Sequence, residues 1–242
     1  MNQLLGKYAV VTGAAKGIGA SIVKKFLAEG AAKVALLDIA EIDTTEFDPE
    51  GGRAYSYVCD ISDPANVEAV FHKIYEDFGR IDVLVNNAGI TRDAMAHKMS
   101  IDQWEKVIKT NLCSAFYTCR CVLAKMRDQN SGRIINIASS SIQGNVGQCN
   151  YTAAKSGLVG FTKTLAKELG RKAITANCVA PGGTNTDMYK GVPEDVLKAS
   201  LKQMPFGRLA EPMEIANTVS FLASDDASYV SGQVIYVSGG KH

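Results

Sequence analysis

Short apolar segments alternate with helical patterns along the whole chain. The apolar segments predict strands, which lie at residues 8–12, 33–38, 54–59, 81–85, 133–138, 174–179 and 233–237. The helical patterns lie at residues 20–30, 64–78, 102–126, 151–170 and 210–223. Apolar strands that alternate with helices are typical of a parallel sheet covered on both faces. The pattern therefore predicts one three-layered α/β domain over residues 1–242.

Residues 183–207 depart from this alternation. They are punctuated by proline and glycine, and a helical pattern is present only at residues 194–203. A long irregular connection in a compact chain is usually a lid or a binding loop. We therefore expect residues 183–207 to form a substrate lid.

The composition excludes several classes of function. Lysine and arginine total 26 residues against 25 aspartate and glutamate residues, which argues against nucleic acid or an anionic membrane surface as the main partner. No apolar run approaches the roughly 20 residues of a membrane span, and residues 1–11 do not form a signal peptide. The six cysteines have no paired spacing and there are only three histidines. We expect free thiols, no metal site and a cytoplasmic location.

The helical segment that begins at Tyr151 carries the main candidate for chemistry. Lys155 follows Tyr151 by four residues, and this spacing places two side chains on one face of a helix. A nearby cation lowers the pKa of a phenol, and a decrease of about three pH units requires roughly 4 kcal/mol. Such a tyrosine would exchange a proton with a substrate oxygen near neutral pH. The alternative is an exposed pair without chemistry.

A glycine cluster follows the first predicted strand and opens the first helix. Glycines there let the backbone approach a pyrophosphate, whose charge the helix N-terminus favours. The spacing is G-x-x-x-G-x-G, which differs from the commonest dinucleotide fingerprint. The candidate residues of this turn are Gly13, Lys16, Gly17, Ile18 and Gly19.

The next strands end in further candidates for a dinucleotide site. Asp38 ends the second strand, where an acidic side chain binds a ribose 2′-hydroxyl and repels the phosphate of NADP. The sequence thus favours NAD(H), although Lys16 could pair with a phosphate and NADP(H) stays open. The third strand leads to candidate adenine contacts and the fourth to a turn on the ribose side, and these residues are Asp60, Ile61, Asn87, Ala88 and Gly89.

Several ordered motifs together resemble the classical short-chain dehydrogenases/reductases over nearly the whole chain. They are Thr12-Gly13-x-x-x-Gly17-x-Gly19, Asn86-Asn87-Ala88-Gly89, Asn111, a serine after the fifth strand, Tyr151-x-x-x-Lys155 and Pro181-Gly182. The resemblance implies a doubly wound, Rossmann-type sheet of seven strands and a homotetramer. It also implies cofactor contacts after the sixth strand at Pro181, Gly182, Thr184 and Thr186, with Thr186 against the nicotinamide carboxamide.

The resemblance further implies a catalytic tetrad of Asn111, Ser139, Tyr151 and Lys155. In this scheme Tyr151 transfers the proton, Lys155 lowers the tyrosine pKa and holds the nicotinamide ribose, and the serine orients the carbonyl. Asn111 would hold a water that links Lys155 to solvent, or its amide would simply bond the helix backbone.

Three consecutive serines compete for the serine role. The usual interval of thirteen residues before the tyrosine falls on Ala138, whereas counting from the end of the strand selects Ser139 rather than Ser140 or Ser141. We therefore assign Ser139, with one residue deleted from the loop that follows.

The segments 87–93 and 147–151 resemble 3-oxoacyl-carrier-protein reductases and acetoacetyl-CoA reductases. This resemblance implies reduction of 3-oxoacyl thioesters to 3-hydroxyacyl thioesters. Those enzymes mostly use NADPH and lack an acid at the position of Asp38, so a dehydrogenase of another secondary alcohol (a hydroxysteroid, a sugar or a small diol) stays open. A non-catalytic nucleotide-binding scaffold is the alternative from another class.

Two further features bear on the acyl substrate. Arg171 and Lys172 could contact an acidic carrier protein or a CoA phosphate, or they could be a solvated helix end. The second basic position expected for docking of a carrier protein falls on Asn130, which is not basic. Apolar lid residues could line an acyl pocket or pack the lid itself, and they are Met188, Tyr189, Val192, Leu197, Leu201 and Met204.

Overall fold

The protein is described by a computed structural model over residues 2–187, 201–202 and 204–241. These residues contain seven strands, which are β1 (Tyr8–Thr12), β2 (Lys33–Asp38), β3 (Ala54–Val58), β4 (Val83–Asn86), β5 (Gly132–Ile137), β6 (Ile174–Pro181) and β7 (Val234–Val237). They form one sheet in the order β3-β2-β1-β4-β5-β6-β7, and every adjacent pair is parallel. The predicted α/β fold class is confirmed.

Helices cover both faces of the sheet. They are α1 (Gly17–Ala28), α2 (Pro64–Phe78), α3 (Ile101–Ile108), α4 (Ser114–Gln129), α5 (Cys149–Leu169) and α6 (Pro212–Ala223). Local sequence explains several of their ends. The Asp63 carboxylate accepts from the Ala65 N–H ahead of Pro64, and Gly79 ends α2 in the left-handed conformation. Ser100 and Gln103 form a reciprocal capping box at α3.

Alternate strand residues face two separate cores. Val11, Leu36 and Ile135 pack with α1 and α6 on one side of the sheet, in one buried cluster. Val10 and Ile134 belong to a second cluster with α2, α4 and the far end of α5. Because both faces of each central strand are buried, these strands are apolar over most of their length, which is the pattern that predicted three layers.

The helix predicted at residues 102–126 differs from the observed structure. Residues Lys109–Cys113 form a π-helical turn between α3 and α4, and a single extra residue of this kind often marks a functional position. Asn111 lies in this turn. Periodicity could not reveal the turn, because one inserted residue shifts the apolar face without ending the helix.

Most of the lid lies outside the described residues. The predicted helix at 194–203 falls almost entirely there, as do Met188, Tyr189, Val192 and Leu197. Met204 is described and is buried, with 7% of its surface exposed. The boundaries of the lid and of the single domain stay predictions.

The strand order reverses between β1 and β4, so the connections leave these two strands in opposite directions. In open parallel sheets, ligands bind beyond the carboxyl ends of the strands at this reversal. The candidate cofactor turns after β1, β2 and β4 lie at these ends. The helices of the described residues include none with the length and apolar character needed to cross a bilayer.

Candidate active site

The turns after β1 and β4 are joined by a set of short hydrogen bonds. The Thr12 hydroxyl accepts from the N–H groups of Asn87 and Ala88 at 3.0 and 3.1 Å. The Asn87 amide donates to the carbonyls of Thr12 and Gly13 at 2.9 and 3.0 Å. The Asn87 side chain is therefore directed at the glycine turn, where it fixes the backbone.

Two glycines of this turn lie where no larger residue fits. A Cβ on Gly13 would lie 2.8 Å from Ala88 Cα, and a Cβ on Gly19 would lie 2.0 Å from the Gly13 carbonyl oxygen. The N-cap residue of α1, Lys16, makes no side-chain hydrogen bond to the first N–H groups of the helix. This cradle fits a pyrophosphate, since uncapped N–H groups and the helix dipole both favour an anion.

Two carboxylates flank the same turn. Asp38 accepts from the Ala15 N–H at 3.1 Å and from the Ile39 N–H at 2.8 Å. Lys16, the cation of the glycine turn, forms an ion pair with Asp187 at 3.2 Å. The structure thus gives the Lys16 ammonium a carboxylate partner, although both groups are largely exposed.

The other predicted cofactor residues lie at the same edge of the sheet. Asp60 accepts from the N–H and hydroxyl of Ser62, so one of its carboxylate oxygens holds the turn after β3, and Ile61 is buried. The segment after β6 approaches the glycine turn, because a Cβ on Gly17 would lie 3.2 Å from the Thr186 methyl. Thr184 is buried, and its hydroxyl donates to the Gly182 carbonyl at 3.1 Å.

The first two turns of α5 bring Tyr151 and Lys155 together. The Lys155 ammonium lies 5.7 Å from the centroid of the Tyr151 ring. Only 3% of Lys155 is exposed, and its Nζ donates to the carbonyl of Ile137, the last residue of β5, at 2.6 Å. The alternative of an exposed pair is therefore wrong.

Burial has a large effect on this lysine. Desolvation lowers the pKa of Lys155 from 10.5 to about 8, because the charged form is disfavoured away from water. At pH 7 about nine-tenths of the side chain still carries the charge. The amine thus remains a cation that favours the phenolate of Tyr151, and it also titrates close to neutrality.

Asn111 lies beside this pair. Its side chain does not bond the backbone of its own helix, which was one alternative from the sequence. Its Oδ1 accepts from the Ile90 N–H and its Nδ2 donates to the Ile90 carbonyl, both at 2.8 Å. The side chain therefore bonds the loop after β4 instead of its own helix. A Cβ on Gly89 would lie 3.2 Å from the Asn111 amide oxygen and 3.5 Å from the Lys155 Nζ. Gly89 therefore lies close to both side chains, with little room for a larger residue.

The serine segment is attached to α5 next to Tyr151. Ser139 accepts from the Ser141 N–H at 3.1 Å and caps the short 3₁₀ turn of Ser140–Gln143. Thr152 donates to the Ser141 carbonyl at 3.0 Å. Ser141 Oγ is buried, with no hydrogen-bond partner in the described part of the chain. These contacts place all three serines near the site without distinguishing among them.

Sequence reasoning missed a buried polar network beneath the site. Thr118 donates to Asn86, Asn86 donates to Asn136, and Asn136 donates to Thr162, with distances of 2.6, 2.8 and 2.7 Å. The network joins α4, β4, β5 and α5. A signal was available, because an asparagine inside an otherwise apolar strand requires partners.

The remaining expectations concern metals and thiols. The described residues contain no group of three or more histidine, cysteine or acidic residues that could hold a metal. All six cysteines are free. Burial raises the pKa of Cys178, which lies near Lys155, to about 11, so this thiol is neutral.

Comparison with known proteins agrees with this geometry. The family model described as "Enoyl-(Acyl carrier protein) reductase" matches residues 13–242. The chain is 43% identical to the 3-oxoacyl-[acyl-carrier-protein] reductases of Salmonella typhimurium, Escherichia coli and Thermotoga maritima, and each alignment covers 98% of both proteins. It is 44% identical to the enzyme of that name from Chlamydia muridarum, over 99% of both chains. The protein therefore belongs to the short-chain dehydrogenase/reductase family, whose members are oxidoreductases that use a nicotinamide cofactor.

Proposed function

We propose that this enzyme reduces 3-oxoacyl thioesters to 3-hydroxyacyl thioesters and that it prefers NADH. The reaction class is supported chiefly by the buried Lys155 ammonium beside the Tyr151 ring, at the carboxyl ends of the central strands. The substrate class is supported by the relatives, which are 3-oxoacyl-[acyl-carrier-protein] reductases at 43–44% identity over nearly their full length.

The residues of the site have distinct roles in this reaction. The nicotinamide, when bound, supplies hydride to the carbonyl carbon. Tyr151 donates its phenolic proton to the developing alkoxide, and the Lys155 cation stabilises the phenolate that remains. Ser139 donates a hydrogen bond to the substrate oxygen as charge develops there. Asn111 holds the loop after β4 against the amine through Ile90.

The preference for NADH rests on the charges around the glycine turn. The Asp38 carboxylate is held against the Ala15 N–H, at the end of β2 where a ribose 2′-substituent lies. A 2′-phosphate there would meet a fixed negative charge. Lys16 is already paired with Asp187, so less of its charge is available to offset the repulsion.

The basic residues Arg171 and Lys172, which follow α5, bear on whether the substrate is linked to a carrier protein. Lys172 donates to the Asn130 side chain at 3.2 Å, so the two positions expected to contact a carrier are adjacent. Only one of them is basic. This arrangement favours a weaker electrostatic contact than two cations would give, and CoA thioesters are therefore the first substrates to test.

We also propose a cytoplasmic homotetramer. Exposed apolar side chains are present on α3 and α4, at Ile101, Trp104 and Phe116, on α6 at Phe221, and between α6 and β7 at Tyr229. Patches of this kind are what subunit interfaces cover. Light scattering of the purified protein measures the assembly directly, and a monomer at micromolar concentration would contradict the proposal.

The central test follows oxidation of NADH and NADPH with acetoacetyl-CoA and a carrier-linked 3-oxoacyl substrate. In the reverse direction it follows reduction of NAD⁺ and NADP⁺ with a panel of secondary alcohols. We expect turnover of the thioesters and loss of at least about 100-fold in kcat for Tyr151→Phe. Tyr55→Phe, which removes one exposed hydroxyl bond to the Gly52 carbonyl, is the control. Native turnover by Tyr151→Phe would contradict the mechanism. Activity on alcohols alone would reassign the substrate, and no turnover of any substrate would favour a scaffold.

The cofactor preference has its own test. Asp38→Ala removes the carboxylate, and we expect the ratio of kcat/KM for NADPH to that for NADH to rise by about 10-fold or more. Asp43→Ala, which removes an exposed carboxylate that caps a short 3₁₀ turn, is the matched control. An unchanged ratio in Asp38→Ala would contradict the role of this residue.

A further inference from the structure

The two segments whose sequences resemble acyl-thioester reductases meet in space through one buried residue. Asn150 precedes Tyr151, and it is 0% exposed. Its Oδ1 accepts from the Tyr151 N–H at 2.7 Å. Its Nδ2 donates to the Arg92 carbonyl at 2.9 Å and to the Gln103 carbonyl at 3.1 Å. One amide therefore contacts α5, the loop after β4 and α3.

The bond to Tyr151 meets a need of the helix N-terminus. The first N–H groups of a helix have no intrahelical acceptor, and α5 has no side-chain cap at Gln148. Asn150 supplies the acceptor for the N–H of Tyr151 itself. The first turn of α5, which carries the phenol, is thus stabilised by the asparagine that precedes the tyrosine.

The bond to the Arg92 carbonyl is the second side-chain attachment that holds the loop after β4. Asn111 holds both backbone polar groups of Ile90, and Asn150 holds the carbonyl two residues later. Two further contacts join the same region, since Gln148 donates to Asp93 at 2.8 Å in an exposed bond and the Ala94 N–H donates to the Gly147 carbonyl at 2.9 Å. Thr91 lies between Ile90 and Arg92, whose carbonyls accept these bonds.

We infer that Asn150 is a positioning residue, which holds the Tyr151 phenol in register with the loop after β4 so that proton donor and substrate meet in one geometry. It does not touch the reacting atoms. This inference rests on the proposed role of Tyr151 as proton donor. Loss of the amide would remove the buried bonds between the first turn of α5 and the loop, and a misplacement of about 1 Å is enough to lower turnover about 100-fold.

The test separates turnover from cofactor binding in the full-length enzyme. Asn150→Ala removes all three bonds, and Asn145→Ala, which removes one exposed bond to Gln148 in the same loop, is the control. We expect kcat of Asn150→Ala with NADH and acetoacetyl-CoA to fall at least 10-fold. The Kd for NADH, measured by fluorescence on protein whose folding is verified by circular dichroism, should stay within about two-fold of the native value, because Asn150 makes no contact with the glycine turn.

A second variant keeps the test valid if Asn150→Ala does not fold. Asn150→Asp preserves the size and the acceptor for the Tyr151 N–H but removes both amide donors, and we expect kcat to fall at least 10-fold again. Native kcat in a folded Asn150 variant overturns the inference, and so does a loss of NADH binding in proportion to kcat, which would identify a structural role. Tyr151→Phe is assayed in parallel. If it remains active, the proposed function itself fails, whereas an inactive Tyr151→Phe beside a fully active Asn150→Asp overturns only the positioning role.

Discussion

Burial of Lys155 should make the stability of the apo enzyme depend on pH in a specific way. The fold lowers the pKa of this amine from 10.5 to about 8, so the folded state binds the proton more weakly than the unfolded state. The penalty for burying the charged form is complete below about pH 8. It decreases as pH rises from about 8 and disappears above about 10.5, where the amine is neutral in both states.

The size of this penalty follows from the two pKa values. It amounts to about 3 kcal/mol at pH 7, and it falls to roughly half that value near pH 9.5. Replacement of Lys155 by methionine removes the titrating group while preserving much of the volume. We expect the free energy of unfolding of the native protein, relative to Lys155→Met, to increase by about 2 kcal/mol between about pH 7 and about pH 9.5.

The assay is urea unfolding at the two pH values without added nucleotide. The constant contribution of the bond from Lys155 to the Ile137 carbonyl cancels when the two pH values are compared. Lys167→Met, an exposed lysine on the same helix, controls for general effects of charge. If the difference between native protein and Lys155→Met is the same at both pH values, or decreases with pH, the reasoning about the buried amine is wrong.

Three further substitutions test other parts of the site. Ser139→Ala should lower kcat by about 100-fold or more while Ser140→Ala stays within a few-fold of the native enzyme, and steady-state kinetics showing the reverse would reassign the serine. Thr162→Val leaves the buried Asn136 amide without its acceptor and should lower the free energy of unfolding by about 1–3 kcal/mol in urea. The exposed Thr164→Val is its control, and equal effects would contradict the importance of the network. Gly19→Ala should abolish NADH binding or folding, because its Cβ would lie 2.0 Å from the Gly13 carbonyl oxygen. Gly160→Ala, on an exposed helix position with open space, is the control and should be neutral or stabilising by up to about 1 kcal/mol. Scanning calorimetry measures the stability of both variants, and titration with NADH measures their cofactor binding.

The fold could be predicted from the sequence because the features that mark its strands and helices lie within single segments of the chain. The apolar run of β2 was bounded correctly at Lys33 and Asp38, and Asp63 with Pro64 located the start of α2. Strand ends differ by one or two residues elsewhere, as for β6, which continues to Pro181. The π-helical turn at Lys109–Cys113 was not predictable in this way, since nothing in its composition distinguishes it from the helices on either side.

The site was predictable only in part, for a different physical reason. Gly13, Asp38, Tyr151 and Lys155 could be proposed as site residues from their own segments, because a turn, a strand end or a helical repeat marks each of them. The partners of Asn111 lie 21 residues away, and those of Asn150 lie up to 58 residues away. A pattern within one segment cannot indicate which distant backbone group a buried amide will bond.

The buried amides also explain how a polar site is held in an apolar core. A tyrosine and an ammonium must keep a fixed geometry, but a carboxylate beside Lys155 would form an ion pair and raise its pKa. Neutral asparagine and threonine side chains avoid that effect, because they fix backbone segments without adding charge. Asn136 holds α5 at Thr162, and the Ile137 carbonyl next to it in β5 holds Lys155. Successive residues of one strand thus secure α5 at two points seven residues apart, on the face that carries the amine, and its charge remains available to the phenol.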